Sequence, residues 1–517
     1  MAGRSIGQVM RAVTPYLMLL LFVATIGSLQ FGFHLAELNA PQDVITCHRK
    51  SISAAARIAD RLSKLAGKGG DQHATAAFLK QCIPMSEAAF ATISSIFTVG
   101  GLAGALGAGP LASTRGRVPA MRYTATLYIV GAITESLSSS VLVMCIGRLF
   151  SGAGAGASTV IVPLYISEIS PPDERGFFGA MTQVSINIGI LLAQTLGYFL
   201  SYGEAWRYIF GVGACVAATQ HVGLCLVPES PAWLAANGGA SKARKILQRI
   251  RGNGIDIQEE TSTWASDSTG PDSNAEAEGL LTRPDEEGLQ PRAASRSIGL
   301  MGFLEVARDP TTRPAIIAVV GVMIIQQFCG INSVIMYSVS LLADLLPTSS
   351  ALLTIIISGV NLAMTIACAP LPDRLGRKAC LLISIIGQGS SSLVLAFSII
   401  FRAKVVSAIA VVFFVAFFAV GLGPVPFIMA SELVGQEAVG ATQSWSLAAN
   451  YIATFMVAQF FPIINTALNN ALGRAGWVYF IFAGFAAMGA VFVAIRVPET
   501  KGKRSVDDVW GRTRRVD

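Results

Sequence analysis

The chain has 517 residues, of which 53% are hydrophobic and only 13% charged, and its mean hydropathy is +0.58. The charged share is about half that of an ordinary soluble domain, which excludes a soluble globular protein and predicts that most of the chain lies in lipid. A net charge of +7 would suggest nucleic acid in a soluble protein, but here the basic residues fall in loops and tails, where they report membrane orientation. We therefore expect the lipid bilayer, and no nucleic acid, as a partner.

Twelve apolar segments along the chain are each long enough to cross a bilayer as a helix. We predict them at about 15–33, 88–112, 120–138, 142–165, 177–201, 207–227, 314–342, 350–371, 379–400, 405–431, 443–466 and 475–496. The even number places both termini on one side. Basic residues at 115–122, 242–251, 374–378 and 501–515 fall on that side, which we therefore predict to be cytoplasmic.

A polar stretch separates the sixth predicted span from the seventh. Ser241–Gly252 has apolar residues at helical spacing with basic residues between them, so we predict an amphipathic helix at the membrane surface. Small, polar and acidic residues dominate about 253–297, which we predict to be disordered. The predicted organisation is an N-terminal six-helix bundle at 1–227, a cytoplasmic loop with short amphipathic helices and this insert at 228–313, a C-terminal six-helix bundle at 314–496 and a cytoplasmic tail at 497–517.

An internal repeat relates the two groups of six spans, because three short motifs recur at nearly the same offset. The pairs are Gly116-Arg117 with Gly376-Arg377, Ser167-Glu168 with Ser431-Glu432, and Pro228-Glu229 with Pro498-Glu499. They follow spans 2 and 8, end spans 4 and 10, and follow spans 6 and 12. We predict two related halves with a solute site at their interface, which is the architecture of rocker-type transporters.

The seventh span carries polar residues inside an apolar run, in the stretch QQFCGINSVIMY at Gln326–Tyr337. Amides at membrane depth mark a solute pathway more often than an anchor, and Gly330 allows the helix to bend or unwind where its backbone lines a cavity. We interpret this stretch as one wall of a solute site. The alternative is that Gln326, Gln327 and Asn332 only join helices by hydrogen bonds.

Eight motifs occur in order along the chain. They are GSLQFG at 27–32, NAPQ at 39–42, GRLFSG at 147–152, PLYISEISPPDERG at 163–176, PESP at 228–231, QQFCGIN at 326–332, PDRLGRK at 372–378 and PETKG at 498–502. With this set the chain resembles the sugar porters of the major facilitator superfamily, and among them the facilitative glucose transporters. The resemblance implies an all-α membrane protein with 12 transmembrane helices in two six-helix halves.

The resemblance also implies sugar-contacting positions in spans 5, 7, 8 and 11. They are Gln183, Gln326, Gln327, Asn332, Asn361 and Asn450. Phe427 and Tyr451 stand where the family commonly has tryptophans and could stack on a pyranose, although aromatic residues at helical spacing also form cores. A sugar hydroxyl that leaves water needs a hydrogen-bonding partner, and an amide both donates and accepts. We therefore expect a small neutral sugar or polyol as the substrate.

Arginines and carboxylates near the predicted cytoplasmic face form a candidate latch, which in this family holds the two bundles together when the outer side is open. The resemblance implies such roles for Arg117, Glu168, Arg175, Glu229, Arg374, Arg377, Glu432 and Glu499. The alternative is that these residues only anchor helix ends at the interface.

Three functional hypotheses compete: a passive uniporter, a proton-coupled symporter and a sugar sensor that does not transport. A short tail after Arg496 makes the sensor the least favoured of them. An enzyme is not expected, because the membrane region shows no paired acids, metal cluster or nucleophile elbow in its sequence pattern. No cofactor is expected, and none of the eight cysteines has metal-ligand spacing.

His34 is the candidate coupling residue. By the resemblance, it stands where proton-linked sugar porters carry an aspartate and passive ones usually an asparagine. An imidazole can titrate near neutral pH, burial favours its neutral form, and Glu37 one turn further on could pair with a protonated ring. We predict passive transport, with a neutral histidine hydrogen-bonded inside the bundle; the alternative is that His34 titrates during transport.

Two further patterns concern location and covalent structure. Glu276, Leu280 and Leu281 fit an acidic dileucine signal that a sorting adaptor could bind, which suggests a vacuolar or lysosomal membrane as an alternative to the plasma membrane. Cys47 and Cys82 share the first outer loop and face an oxidising compartment on the predicted topology. We predict a disulfide between them, with two free thiols as the alternative.

Overall fold

The computed structural model describes residues 14–48, 81–171, 174–252, 255–258, 260–261, 303–343, 350–435, 438–503 and 506–511. Every secondary-structure element in these ranges is a helix, in agreement with the predicted all-α class. The dileucine residues Glu276, Leu280 and Leu281 lie outside the described residues, as does most of the predicted insert at 253–297.

Six long helices and one short helix make up the N-terminal half within residues 14–48, 81–171 and 174–223. They are α1 (Pro15–Ala36), α2 (Gln42–Ile45), α3 (Glu87–Arg115), α4 (Arg117–Ser136), α5 (Val141–Ile169), α6 (Arg175–Leu200) and α7 (Trp206–Gly223). Polar caps start several of them. The Thr14 hydroxyl accepts a hydrogen bond from the N–H of Leu17, and Pro15 occupies the first turn of α1, where no helical N–H partner is lost.

The C-terminal half follows a polar connection, in whose described residues three short helices have both ends defined. These are α8 (Pro231–Ala236), α9 (Ala240–Arg251) and α10 (Phe303–Arg308). The half itself comprises α11 (Arg313–Phe328), α12 (Ile331–Ala343), α13 (Ser350–Cys368), α14 (Leu371–Leu375), α15 (Arg377–Ile400), α16 (Lys404–Val420), α17 (Val425–Glu432), α18 (Val439–Leu472), α19 (Val478–Arg496) and α20 (Val506–Trp510). The predicted amphipathic helix corresponds to α9, which buries Ala243, Leu247 and Ile250.

Most of the predicted spans correspond to a helix in the described part of the chain. Nine segments are long and apolar enough to cross a membrane, and α11 with α12 makes a tenth if the bent pair is one span. The third and sixth predicted spans are also helices, α4 with 20 residues and α7 with 18. Arg117, Arg122 and Glu135 make α4 less apolar than its neighbours. The count of twelve spans and the side on which the termini lie remain predictions.

Two of the predicted spans are broken near their middle. The seventh bends by 40° between α11 and α12, at Gly330, whose φ of +95° is a conformation that favours glycine. The tenth unwinds between α16 and α17, around Gly421 and Leu422. The backbone groups freed at Leu422 are bonded, because its N–H donates to Ser384 at 3.0 Å and its carbonyl accepts from the Gln326 side chain.

The two ends of the helix bundle carry different residues. The basic face is the end that holds Gly116 and Gly376, and the disulfide face is the opposite end, which holds Cys47 and Cys82. The halves meet along two long seams, α3 against α18 and α6 against α13. The residues predicted from sequence to contact a solute lie on α6, α11, α12, α13, α17 and α18, which include helices of both seams.

The structure pairs Cys47 with Cys82 in a disulfide, with the two Cα atoms 5.3 Å apart. The bond joins the end of α2 to the residues that precede α3. Backbone pairing supports the same junction, because the N–H of Ile83 donates to the carbonyl of Ile45 at 2.8 Å. The cross-link therefore anchors the first loop at the disulfide face.

Candidate solute site between the two halves

Four of the predicted amides form one hydrogen-bonded chain at the break between α11 and α12. The Asn450 amide on α18 donates to Gln326 Oε1 at 2.6 Å, and the Gln327 amide donates to the same oxygen at 3.1 Å. Asn332 donates to Gln327 Oε1 at 2.6 Å and to the Thr454 hydroxyl at 3.4 Å. The bend at Gly330 thus places amides from both sides of the break against α18.

The two aromatic residues predicted to stack on a sugar, Tyr451 and Phe427, differ in burial. Tyr451 is buried, its hydroxyl lies 3.4 Å from the Thr159 hydroxyl of the other half, and its ring fills the space that a side chain at Gly101 would need. Phe427 differs, because 42% of its side chain is exposed. Of the two aromatic positions inferred from the resemblance, the structure packs Tyr451 between the halves and leaves Phe427 open.

The remaining predicted amides lie on the α6–α13 seam. Asn361 on α13 donates to Asn187 Oδ1 on α6 at 3.3 Å, and Asn187 donates to the Thr365 hydroxyl at 2.7 Å. The side-chain oxygen of Asn361 is buried without a hydrogen-bond partner. Gln183 lies one turn before Asn187 and is half-buried. Sequence reasoning missed Asn187 and Thr365, although an asparagine inside an apolar run was a signal for the first.

The latch residues at the basic face form two matching sets, one in each half. Arg117 bonds Glu168 with an Nη2–Oε1 distance of 2.7 Å, and Arg377 bonds Glu432 at 2.8 Å. Glu229 accepts the N–H of Arg117, and Glu499 accepts the N–H of Arg377, both at 2.9 Å.

Each of these ion pairs therefore closes within one half in the conformation described here. Arg374 is exposed, and the side chain of Arg175 lies outside the described residues. Hydrogen bonds do cross between the halves elsewhere. Toward the disulfide face, Ser95 donates to Gln459 at 2.6 Å and Asn39 donates to the carbonyl of Ile335 at 2.9 Å, and deeper in the bundle Asn187 donates to Thr365. The described ion pairs at the basic face thus stay within one half, while hydrogen bonds at the disulfide face join the two halves.

A cluster of four charged or titratable side chains lies inside the N-terminal half, and all four are 0% exposed. His34 Nδ1 lies 2.9 Å from Glu37 Oε1, and Arg148 Nη1 donates to the same oxygen at 2.7 Å. Glu135 on α4 completes the group, and ligand atoms of His34, Glu37 and Glu135 all lie within 4.8 Å of one another. We call these residues the buried charge cluster.

The cluster corrects one expectation from the sequence, which had found no paired acids in the membrane region. Glu37 and Glu135 are 98 positions apart in the chain, and Arg148 is fully buried between them and the Phe97 ring, 4.4 Å from the ring centroid. The sequence did contain a signal for this cluster, because Glu135 and Arg148 are ionisable residues in otherwise apolar segments.

Comparison with known proteins identifies the family. The sequence model of "Sugar (and other) transporter" matches residues 20–507, nearly the whole chain. The chain belongs to this sugar transporter family. A probable metabolite transport protein of Saccharomyces cerevisiae is 33% identical over 499 residues, which cover 96% of each chain. The solute carrier family 2, facilitated glucose transporter member 3 of Rattus norvegicus is 29% identical and covers 96% of this chain and 92% of that protein.

A solved structure shows the same architecture. The partially occluded inward-open conformation of the xylose transporter XylE from E. coli matches with a TM-score of 0.71 at 23% identity, covering 95% of this chain and all of that one. The protein is therefore a multi-pass membrane protein with the fold of the major facilitator superfamily. Membership of the sugar transporter family implies a transporter and not an enzyme.

Proposed function

We propose that the protein carries a neutral hexose, or a related sugar or polyol, across its membrane by alternating access of the two halves. The observation that carries the proposal is the chain of uncharged amides from Gln326 to Asn332, which meets α18 at the break in span 7. Each amide both donates and accepts, so sugar hydroxyls can replace the amide–amide bonds one for one. Hydrogen bonds to these uncharged amides offset the free-energy cost of removing water from the sugar, so no charged side chain is needed.

Charge placement argues against an anionic substrate. Such a solute would need an unpaired arginine or lysine beside the amides. In the described part of the spans, the fully buried guanidinium is that of Arg148, and Glu37 and the carbonyl of His34 already accept its hydrogen bonds. A neutral polyhydroxylated solute fits the amide chain better.

We further propose that transport is passive uniport. His34, Glu37 and Arg148 are each fully enclosed and bonded to one another, which favours a cluster that keeps its protons. Proton-coupled symport is the second candidate, and the specific observation in its favour is an imidazole with two carboxylates gathered within 4.8 Å. A symporter would need this cluster to exchange a proton with water once in each cycle.

Uptake into proteoliposomes distinguishes these proposals. Purified protein would be reconstituted and tested with labelled hexoses, pentoses, inositol and linear polyols, with and without an imposed proton gradient. We expect saturable equilibration of at least one neutral solute and no accumulation above the external concentration. Uphill accumulation that a protonophore and His34→Asn both abolish would establish symport, and absence of saturable uptake across the panel would overturn the proposed function.

The amide variants test the site itself. Gln327→Leu and Asn332→Ala each remove a member of the hydrogen-bonded chain. We expect saturable uptake to fall by about fivefold or more, because one lost bond to a buried polar group costs roughly 1–3 kcal/mol. Asn237→Ala, an exposed asparagine after α8, is the matched control and should transport normally. Unchanged affinity in both site variants would favour the alternative in which these amides only join helices.

A further inference from the structure

We propose that Glu135 is a proton-binding site, in which a carboxyl group remains protonated at neutral pH inside the N-terminal half. The site lies apart from the amides assigned to the solute, and it does not depend on which solute is carried. Its ligand is a single proton, held between carboxyl groups that come from α1 and α4.

The pairing within the buried charge cluster leaves Glu135 as the unmatched acid. Arg148 Nη1 lies 2.7 Å from Glu37 Oε1 but 4.0 Å from Glu135 Oε2, so the direct ion pair is Arg148 with Glu37. That pair is electrically neutral. Glu135 receives one hydrogen bond, from the neutral Ser151 hydroxyl to Oε1 at 2.6 Å. An ionised Glu135 would therefore leave a net negative charge in a region with no exposed surface.

Burial makes this charge expensive. All members of the cluster are 0% exposed, and transfer of an unpaired carboxylate into such surroundings costs so much that the group normally takes up a proton instead. The unpartnered atoms agree with this reading. Glu135 Oε2 and Glu37 Oε2 are both buried without a hydrogen-bond partner. A proton on Glu135 Oε2 neutralises the negative charge of Glu135. It also turns this oxygen into a donor, for which Glu37 Oε2 is an available acceptor.

Histidine is the other candidate for the proton, and its hydrogen bonding argues against it. His34 Nδ1 lies 2.9 Å from Glu37 Oε1, while Nε2 is buried with no partner. Because an ionised Glu37 can only accept, Nδ1 carries the proton that is donated to it. A neutral ring with its proton on Nδ1 makes this bond and leaves one acceptor, Nε2, unpaired. A charged imidazolium would add a buried Nε2–H with no acceptor, beside the Arg148 charge. The additional proton therefore belongs on Glu135.

A metal ion is the second ligand that these three residues could hold, and Arg148 argues against it. Its Nη1 occupies the Glu37 oxygen that also faces His34, so a divalent cation there would meet a guanidinium charge within a few ångströms. A proton satisfies the same carboxyl groups without that repulsion.

The groups that face Glu135 come from each helix packed around α4. From the end of α1 come His34 and Glu37, and from α5 comes Arg148, with Cys145 of the same helix beside Arg148. From α7 comes Arg207, whose Nη1 donates to the carbonyls of Ser136 and Ser138 at 2.7 Å. Helix α3 contributes the Phe97 ring beneath Arg148, and α4 itself contributes Tyr128, which stacks on His34 with ring centroids 5.1 Å apart. The Arg207 guanidinium already donates to carbonyls at the end of α4, so Arg148 is the cation that faces the carboxyl groups of Glu37 and Glu135.

Infrared spectroscopy of the purified full-length protein in nanodiscs tests the proposal without any transport measurement. We expect a carbonyl stretching band of a protonated, buried carboxylic acid at neutral pH, which Glu135→Gln removes and Glu135→Asp shifts but keeps. Glu87→Gln at the start of α3 is the control and should leave the band unchanged, because Glu87 is exposed. A wild-type spectrum without the band, or a band that survives Glu135→Gln, would overturn the proposal.

Thermal unfolding gives a second readout that does not rest on spectral assignment. If the folded protein binds a proton that the unfolded chain releases, stability falls as pH rises through the neutral range. We expect Tm to decrease with pH in the wild type and to decrease less in Glu135→Gln, which mimics the protonated acid. An increase in Tm on addition of Zn²⁺ alone, together with loss of the acid band, would replace the proton with a metal ion. Both tests use protein without solute, so their failure would leave the proposed sugar transport untouched.

Discussion

At the scale of single residues, the amides of the candidate site bond one another from α11 and α12 across to α18. The sequence predicted Gln326, Gln327 and Asn332 as site residues because they are polar groups in an apolar run, and Asn450 because of the resemblance to sugar porters. Their pairing could not be predicted, because it depends on a bend at Gly330 and on a helix more than a hundred positions away. Likewise, His34 and Glu37 one turn apart were predictable neighbours, whereas their contact with Arg148 is long-range.

Asn187 shows the same limit and yields a prediction. It bonds Asn361 and Thr365 across the α6–α13 seam, and all three side chains are buried. Asn187→Val would leave the Thr365 hydroxyl and the Asn361 amide without this partner. We expect the free energy of unfolding to fall by about 1–3 kcal/mol, measured by thermal or denaturant unfolding in detergent.

A matched control for this change is Thr195→Val on the same helix. Its hydroxyl bonds only the carbonyl of Leu191 one turn back, so the loss should be small. A double-mutant cycle with Thr365→Val isolates the pair, because the second substitution should cost little once Asn187 is gone. Additive effects of the two substitutions would mean that the cross-seam hydrogen bond contributes nothing to stability.

At the scale of elements, periodicity and hydropathy gave the helices, while the breaks inside spans depended on tertiary contacts. The seventh predicted span is two helices at 40°, and the tenth is interrupted around Gly421. Glycine in each segment permitted a break without requiring one. What fixes the second break is the pair of partners for Leu422, namely Ser384 and Gln326, and these lie on other helices.

Gly330 is the position where a local change should have the largest effect on an element. Its φ is +95°, and a Cβ atom there would lie 2.6 Å from the Phe482 ring. We expect Gly330→Ala to lower the free energy of unfolding by at least about 1–2 kcal/mol, since an L side chain is strained in this region. Uptake should fall as well, because the bend aligns Gln327 with Asn332.

The control for the Gly330 substitution is Gly359→Ala in α13. Nothing lies within 4 Å of the Cβ position at Gly359, so a methyl group is expected to have little effect. Comparison of the two variants by thermal unfolding and by sugar uptake separates the backbone requirement from a general effect of alanine. Equal stability of the two variants would show that the bend does not require glycine.

At the scale of the whole molecule, the repeat predicted two related halves, and the Arg–Glu pairing of Arg117 with Glu168 recurs in that of Arg377 with Glu432. The relative position of the halves could not be predicted, because one sequence must serve every conformation of the cycle. The structure joins the halves at the disulfide face through pairs such as Ser95 with Gln459, while the ion pairs of Arg117 and Arg377 stay within their own halves. We therefore expect the contacts at the disulfide face to break and re-form during each transport cycle.

A cross-link tests this expectation. The Ser95 hydroxyl lies 2.6 Å from Gln459 Oε1, so Ser95→Cys combined with Gln459→Cys places two thiols on opposite halves. A short bifunctional thiol reagent should reduce sugar uptake to background in the double variant, and reductive cleavage of the linker should restore it. Each single variant, treated in the same way, controls for the native free cysteines. Undiminished uptake by the cross-linked protein would show that this seam does not open.

The mutual bonding of the amides has a consequence for the kinetics of the carrier. A uniporter completes its cycle only when it changes back to its starting conformation without a bound solute. That conformational change is slow if the site then exposes unsatisfied polar groups to apolar surroundings. Here Gln326, Gln327, Asn332 and Asn450 are joined by hydrogen bonds to one another, so these amides can be satisfied by protein partners alone. We therefore expect the protein without bound solute to change conformation nearly as fast as the protein with bound solute. In that case the rate of net sugar flux down a gradient should approach the rate of sugar exchange measured with equal sugar concentrations on both sides of the membrane.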